Sequence, residues 1–153
     1  EFPEFGIAVA GYPEVHQEAP NAEVDLINLR RKVDAGADIV VTQLFYDNDD
    51  FFRFRDRCVE AGIRVPIVPG LLPGTNLAQG QRIASLCKAR LPVDLVEALG
   101  KREDPEWQFQ TGVAFAVRQV EQLLARGVPG VHYYVLNKSQ ATAEVLRAAW
   151  TRS

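Results

Sequence analysis

Hydrophobic residues along the chain fall into four short runs separated by longer amphipathic segments. The runs occupy residues 7–10, 39–43, 65–69 and 131–136, and they are rich in the Val, Ile and Tyr residues that favour strands. The first two runs are almost continuously apolar, which is typical of strands covered on both faces in a parallel sheet. The pattern therefore predicts four strands of one parallel sheet.

The segments between the runs have the periodicity of helices. Leu26, Leu29 and Val33 share one helical face, and residues 113–124 repeat the pattern over a longer stretch. Glycine suits the left-handed position that follows a helix. Three predicted helices end in this way, at Gly36, Gly62 and Gly127.

Two further segments complete the predicted secondary structure. Residues 88–107 break the rhythm with Pro92 and a polar run, and we expect an inserted helix and loop there. A last helix is predicted to begin at Asn137, whose side chain can cap it while Gln140 reaches back, and to run to Trp150.

Strands that alternate with helices predict an α/β fold with right-handed parallel crossovers. A doubly wound sheet and a (β/α)8 barrel are both built from such units, and four units make half of a barrel. An open four-stranded sheet is the alternative. The sequence enters a strand-like run soon after Glu1, so we expect further residues upstream.

Composition and charge narrow the classes of function. The 153 residues are 47% hydrophobic and 24% charged, as in an ordinary soluble domain. A formal net charge of -3, with acids and bases interspersed, argues against a nucleic-acid partner. No apolar run approaches the roughly 20 residues of a membrane span, so we expect a cytoplasmic protein without a membrane partner. Cys58 and Cys87 stand far from any Cys/His cluster, which argues against a metal site or a disulfide.

Polar residues follow the predicted strands, at the end of the sheet where ligands gather in both architectures. Gln43 ends an apolar run, and a buried amide must find hydrogen-bond partners, of which a ligand is a common one. A solvated helix face is the default interpretation of Arg31 and Lys32, and the functional alternative is that they hold a phosphate group. The sequence contains no Gly-rich phosphate loop, and the absence of GxSxG and HExxH leaves a hydrolase or a zinc enzyme without support. Redox chemistry would need a bound cofactor.

Six motifs stand out along the chain: GYPEVH (residues 11–16), DLINLRRKVDAGAD (25–38), TQLFYD (42–47), FRDRC (54–58), VPGLLP (68–73) and HYYVLN (132–137). In this order they resemble methylenetetrahydrofolate reductase, and the resemblance covers nearly the whole chain. It implies a single (β/α)8 barrel with FAD at its C-terminal face, of which residues 1–153 form the C-terminal half with about strands 5 to 8.

The resemblance also implies an activity. NAD(P)H reduces FAD, and the reduced flavin passes hydride to 5,10-methylenetetrahydrofolate to give 5-methyltetrahydrofolate, a ping-pong reaction that feeds methionine synthesis. Whether NADH or NADPH is the donor stays open. Family members commonly assemble, so we expect a homo-oligomer of the full-length protein.

The family's binding residues carry over position by position. Substrate-binding positions fall on Gln43, Gln79 and Lys138. The family often has an arginine at the position of Lys138, and lysine keeps the positive charge but cannot make the bidentate hydrogen bonds of a guanidinium group. Cofactor-binding positions fall on Tyr12, His16, Ala19, Asp25, Asn28, Arg31 and Lys32, with the basic pair near the diphosphate and Asp25 on hydroxyl groups.

No catalytic residue is expected in this chain. By resemblance, the general-acid glutamate and an aspartate near the flavin lie in the first half of the barrel, so we expect the chain alone to be inactive. Two other interpretations stay open. One is a different (β/α)8 enzyme of the aldolase or lyase type, for which Lys138 is the only strand-end lysine. The other is a non-catalytic half-barrel that serves in assembly, since its strand edges would be unpaired.

Overall fold

Four strands and six helices make up residues 5–150, which are the residues described by the structure, a computed structural model. The expected domain bounds at residues 1 and 153 lie outside this range. The strands are β1 (Ala8–Gly11), β2 (Ile39–Leu44), β3 (Ile67–Leu71) and β4 (His132–Tyr133). The helices are α1 (Ala22–Asp34), α2 (Asn48–Glu60), α3 (Leu77–Cys87), α4 (Val93–Gly100), α5 (Pro105–Ala125) and α6 (Gln140–Trp150).

The strands form one parallel sheet in the order β1-β2-β3-β4. This order follows the chain without a reversal, whereas a doubly wound sheet reverses its order between two halves. The topology is that of half a (β/α)8 barrel, so the predicted fold class is confirmed. Within residues 5–150, β1 and β4 are each paired along one edge only.

The strand order also decides which face of the sheet is covered. Right-handed crossovers that all advance in one direction place their helices on one face. Every second residue of β2 is buried, beginning with Val40, while the residues between them are half-buried. In β1, Ala8 and Ala10 are exposed. The expectation that the first two strands are covered on both faces is therefore wrong for the described residues, because helices cover only one.

Two apolar clusters pack the helices against the sheet. The larger includes Phe51, Val120 and Val145, which are fully buried between α2, α5 and α6. The smaller includes Tyr46 and Leu95 and lies under α3 and α4. Burial of each such side chain stabilises the fold by about 1.5–3 kcal/mol. The helix predicted within residues 88–107 is confirmed as α4, and it closes the smaller cluster.

The helix ends follow the predicted glycine pattern in three places. Gly36, Gly62 and Gly127 have φ of 109°, 81° and 73° and follow α1, α2 and α5. This left-handed conformation is accessible to glycine without steric cost, so each residue ends its helix cleanly.

The start of the last helix differs from the prediction. The helix α6 begins at Gln140, and Asn137 has a φ of 63°. An N-cap residue is extended, so a left-handed Asn137 does not cap α6. The preceding Leu136 is also left-handed, with a φ of 45°, and the pair makes a tight turn after β4. The prediction that Asn137 caps α6 is therefore wrong, because Asn137 is part of the turn instead.

Candidate functional site

The segment after β1 forms a small polar cluster held to α1. The rings of Tyr12 and His16 meet edge to face with centroids 4.4 Å apart, and the backbone N–H of His16 donates to Oδ2 of Asp25 at 2.9 Å. Ala19 closes the turn through its N–H to the carbonyl of His16 at 3.1 Å. We call these four residues the β1 cluster. One oxygen of Asp25 thus holds the loop to the helix. The other accepts no hydrogen bond from residues 5–150, so it can accept one from a ligand hydroxyl.

Burial and charge act together on the Tyr12 hydroxyl. Burial raises its pKa, and the carboxylates of Asp25 and Glu18 raise it further. A hydroxyl with a raised pKa stays protonated at neutral pH, so Tyr12 is a hydrogen-bond donor in this cluster.

The basic residues of α1 lie beside the β1 cluster and are exposed. Arg31 Nη1 is 3.3 Å from Asn28 Oδ1, and Lys32 Nζ is 3.4 Å from the carbonyl of Ala10 at the end of β1. Both bonds are long, so both cations remain free to bind an anion. Their place in the last turn also suits the helix dipole, which is a structural reason for the same residues.

The carboxyl ends of β3 and β4 border a cavity of about 540 Å³, which we call the β3–β4 cavity. Gln79 enters it from α3 and Lys138 from the turn before α6. Aromatic walls come from Tyr46, Phe109 and Tyr134. An apolar cleft with a few amide, hydroxyl and ammonium groups is the usual form of a small-molecule site.

Gln43 lies apart from Gln79 and Lys138. It is half-buried on β2, its Oε1 accepts from the N–H of Leu44 at 2.9 Å, and it does not line the β3–β4 cavity. The structure thus brings two of the three sequence-predicted substrate residues together and leaves Gln43 on the neighbouring strand.

A slightly larger cavity of about 620 Å³ lies between the start of α2 and α5, near Asp47, Arg118 and Arg126. None of the cofactor-binding or substrate-binding residues predicted from the sequence lines this cavity. Apart from Tyr46 and Asp47, which follow β2, its lining comes from α2, α4, α5 and the residues that flank them, and it lacks the segments after β3 and β4. We therefore take the β3–β4 cavity as the candidate site.

Sequence reasoning missed Tyr134. Its hydroxyl donates to the carbonyl of Thr42 at 3.0 Å, and it lines the β3–β4 cavity. Burial raises the pKa of Tyr134, and the nearby Tyr12 and Cys87 raise it further. The residue stands inside the HYYVLN motif, but the motif does not indicate which of its tyrosines reaches another strand.

Glu14 was missed as well. Its Oε2 accepts from the N–H of Arg90 at 2.8 Å, and the side chain of Arg90 binds Asp47 at 2.8 Å and Asp50 at 3.0 Å. Burial raises the pKa of Glu14 to about 7; the bond from Arg90 lowers it, and the Asp50 carboxylate raises it. These four residues, the Glu14 clasp, tie the segment after β1 to the start of α2.

None of the helices within residues 5–150 combines the length and the apolar character that a membrane crossing requires. Over the same range, no group of three or more His, Cys, Asp or Glu side chains is placed to hold a metal ion.

Comparisons with known proteins bear on the whole chain. Residues 1–149 match the family described as methylenetetrahydrofolate reductase. The 5,10-methylenetetrahydrofolate reductase of Escherichia coli (strain K12) is 41% identical over 153 residues, covering 99% of this chain and 52% of the relative. Methylenetetrahydrofolate reductase (NADH) 1 of Arabidopsis thaliana is 40% identical over 152 residues, covering 93% of this chain and 26% of the relative. The chain thus spans about half the length of the bacterial relative.

A solved structure shares the fold. An uncharacterized protein from Clostridium thermocellum, which binds two copies of 5-methyl-5,6,7,8-tetrahydrofolic acid, matches with a TM-score of 0.60 at 17% identity. The match covers 98% of this chain and 54% of that protein.

Proposed function

Because the chain belongs to the methylenetetrahydrofolate reductase family, we propose that it is the C-terminal half of a barrel that reduces 5,10-methylenetetrahydrofolate to 5-methyltetrahydrofolate. NADH or NADPH is the proposed electron donor, in a ping-pong reaction that feeds methionine synthesis. The observation that carries the proposal is the β3–β4 cavity, whose lining includes Gln79, Lys138 and three aromatic rings. An amide can donate to and accept from a pterin edge, and an ammonium suits the folate carboxylates.

The solved structure from Clostridium thermocellum supports the same class of ligand. That protein binds 5-methyl-5,6,7,8-tetrahydrofolic acid, which is the product of the proposed reaction. In this chain we assign the folate to the β3–β4 cavity, with Gln43 approaching from β2.

The residues around the end of β1 suit FAD in their chemistry. The exposed guanidinium of Arg31 and ammonium of Lys32 suit a diphosphate, and Asn28 lies on the same exposed side of α1. In the β1 cluster, Tyr12, His16 and Asp25 offer polar atoms, and Ala19 offers a small packing surface. When bound, FAD supplies the two-electron chemistry that these side chains lack.

By the resemblance, the family's general-acid glutamate is expected in the first half of the barrel. We therefore expect residues 1–153 alone to bind folate weakly and to be inactive. Two properties of the full-length protein belong to the same proposal, namely a homo-oligomeric state and a cytoplasmic location.

Cofactor content tests the proposal. The full-length gene product is purified, its visible absorbance is recorded, and methylenetetrahydrofolate is added anaerobically to the photoreduced protein. We expect a flavin spectrum that bleaches on reduction and recovers with the folate. Tetrahydrofolate, which has no methylene carbon to accept hydride, is the control and should leave the spectrum bleached.

A colourless protein that does not take up FAD would contradict the proposal. Turnover by purified residues 1–153 in the same assay would contradict the assignment of the chain as an inactive half.

A further inference from the structure

The strand β2 carries a bulge at the residues that precede its end. Val41 pairs with Val68 and Leu44 pairs with Gly70, so Thr42 and Gln43 together lie opposite the single residue Pro69. Proline has no backbone N–H, so the ladder loses a donor at this point of β3. A bulge re-aims the side chains of its strand, and bulges are common beside functional sites.

Side chains replace the ladder bonds that the bulge removes. The N–H of Gly70 donates to Thr42 Oγ1 at 2.9 Å, and Oε1 of Gln43 accepts from the N–H of Leu44 at 2.9 Å. The carbonyl of Thr42 accepts from the hydroxyl of Tyr134 at 3.0 Å. Buried backbone groups need such partners, so these bonds determine the conformation of the bulge.

Tyr134 reaches Thr42 by crossing an intervening strand. Its backbone N–H donates to the carbonyl of Leu71 on β3 at 2.8 Å, whereas its hydroxyl binds β2. Its ring passes over Gly70, where a Cβ atom would lie 2.8 Å from Tyr134 Cε2 and would overlap the carbonyl oxygen of Thr42. Only glycine at position 70 leaves room for this crossing.

We propose that Tyr134 is a positioning residue that orients Gln43 by holding the β2 bulge through the carbonyl of Thr42. The peptide group that accepts this bond joins Thr42 to Gln43, so the bond sets the direction in which the Gln43 side chain leaves the strand. The inference rests on the proposed function, in which Gln43 contacts the folate. Tyr134 also lines the β3–β4 cavity, so one residue connects that cavity with Gln43 on the next strand.

The test compares two adjacent tyrosines in the full-length protein. Tyr134→Phe removes the hydroxyl and keeps the ring. Tyr133→Phe is the matched control, because the buried hydroxyl of Tyr133 has no hydrogen-bond partner among the described residues. The first readout is hydrogen exchange of the peptide spanning residues 40–46, which needs neither flavin nor folate. We expect about two- to tenfold faster exchange in Tyr134→Phe, as for the loss of one hydrogen bond, and no change in Tyr133→Phe.

The second readout is a double-mutant cycle on the KM for methylenetetrahydrofolate. We expect Tyr134→Phe and Gln43→Ala each to raise this KM, and the double variant to be no worse than Gln43→Ala, because Tyr134 acts through Gln43. A purely structural role would give additive effects.

The outcomes separate the two levels of the proposal. Unchanged exchange in Tyr134→Phe, or additive effects on KM, would overturn the positioning role. If Gln43→Ala alone left the folate kinetics unchanged, the contact between Gln43 and folate would be wrong, and faster exchange in Tyr134→Phe would then support only its hold on the bulge.

Discussion

The β3–β4 cavity and the β1 cluster lie at the same end of the sheet but differ in how completely this chain surrounds them. Residues from α3, α5 and the segments after β3 and β4 line the cavity on several sides. The β1 cluster has α1 on one side and an unpaired strand edge on the other within residues 5–150, and its basic neighbours are exposed. A pocket at the end of a strand needs a neighbouring strand on each side to supply its walls. In the described sheet, β1 lies at an edge and has a neighbouring strand on one side only. We therefore expect substitutions at the β3–β4 cavity to change stability and ligand binding more than substitutions near β1.

The largest effect is expected where a helix touches the cavity wall. A Cβ at position 112 in α5 would overlap the carbonyl oxygen of Gly74 and lie 2.8 Å from its carbonyl carbon. Backbone cannot give way as a side chain does, so Gly112→Ala should lower the stability of the full-length protein by about 1–3 kcal/mol. Thermal unfolding measures this loss.

Gly80 in α3 is the matched control, because a Cβ there meets nothing within 4 Å. Gly80→Ala should raise stability by about 0.5–1 kcal/mol, as expected for glycine inside a helix. Equal losses of stability in Gly112→Ala and Gly80→Ala would show that the contact between α5 and Gly74 does not cause the effect at position 112.

The next largest effect is expected at Lys138. Lys138→Met removes the charge at the mouth of the β3–β4 cavity and keeps most of the length. A charge-assisted hydrogen bond contributes about 1.5 kcal/mol or more, so the KM for methylenetetrahydrofolate should rise about tenfold. Lys138→Arg keeps the charge and should stay close to the unchanged protein or bind more tightly. Unchanged kinetics in Lys138→Met would place the folate elsewhere.

A smaller effect is expected beside the β1 cluster. Arg31→Ala and Lys32→Ala should each weaken FAD binding about three- to fivefold at low salt, because exposed cations interact with a diphosphate through water and salt screens them. Fluorescence titration of the apoprotein with FAD measures the change.

Arg30→Ala is the matched control on the same helix, since its side chain is bonded to Asp34 and to the carbonyl of Ala61. A loss of FAD affinity in Arg30→Ala as large as in the other two would indicate a general effect of net charge, not a diphosphate site.

The smallest effect on stability is expected at the Glu14 clasp, which ties the segment after β1 to the start of α2. The folded protein raises the pKa of Glu14 from 4.5 to about 7, so it holds this proton more tightly than the unfolded chain does. The stability that Glu14 contributes is therefore complete below pH 4.5 and is lost as the pH rises to about 7. The pKa of Asp50 is lowered, so its own contribution is lost only in more acidic solution.

Glu14→Gln keeps an acceptor for the N–H of Arg90 and removes the titration. The variant should gain about 1–3 °C in Tm over the unchanged protein above pH 7 and almost nothing near pH 4. A gain that did not depend on pH would contradict the raised pKa.

Much of the architecture could be predicted from the sequence. The four strands were predicted to within one to three residues at most ends, and the glycine stops after α1, α2 and α5 were correct. The helix within residues 88–107 was also correct, whereas the cap of α6 was wrong at Asn137. Hydrophobic periodicity involves residues a few positions apart, so it can be detected in the sequence. The turn after β4 depends on a left-handed backbone conformation that the presence of a single Asn does not predict.

The candidate site could be predicted only as a set of residues. Gln79 and Lys138 line one cavity, but Gln43 does not line it, and the sequence did not indicate Tyr134 or Glu14. Glu14 and Tyr134 find their partners 76 and 92 positions away along the chain, respectively. No short-range pattern encodes such pairs.

The sequence by itself determined the order of strands and helices, the end of the sheet where polar residues gather, and membership of the family. Those properties follow from spacing and from motifs that are local in the chain. Only the tertiary structure decided which face of the sheet is open, that β2 bulges opposite Pro69, and that the Tyr134 hydroxyl crosses β3 to reach Thr42. Each of these depends on strands from distant parts of the chain lying side by side, where backbone groups without ladder partners must take side chains instead.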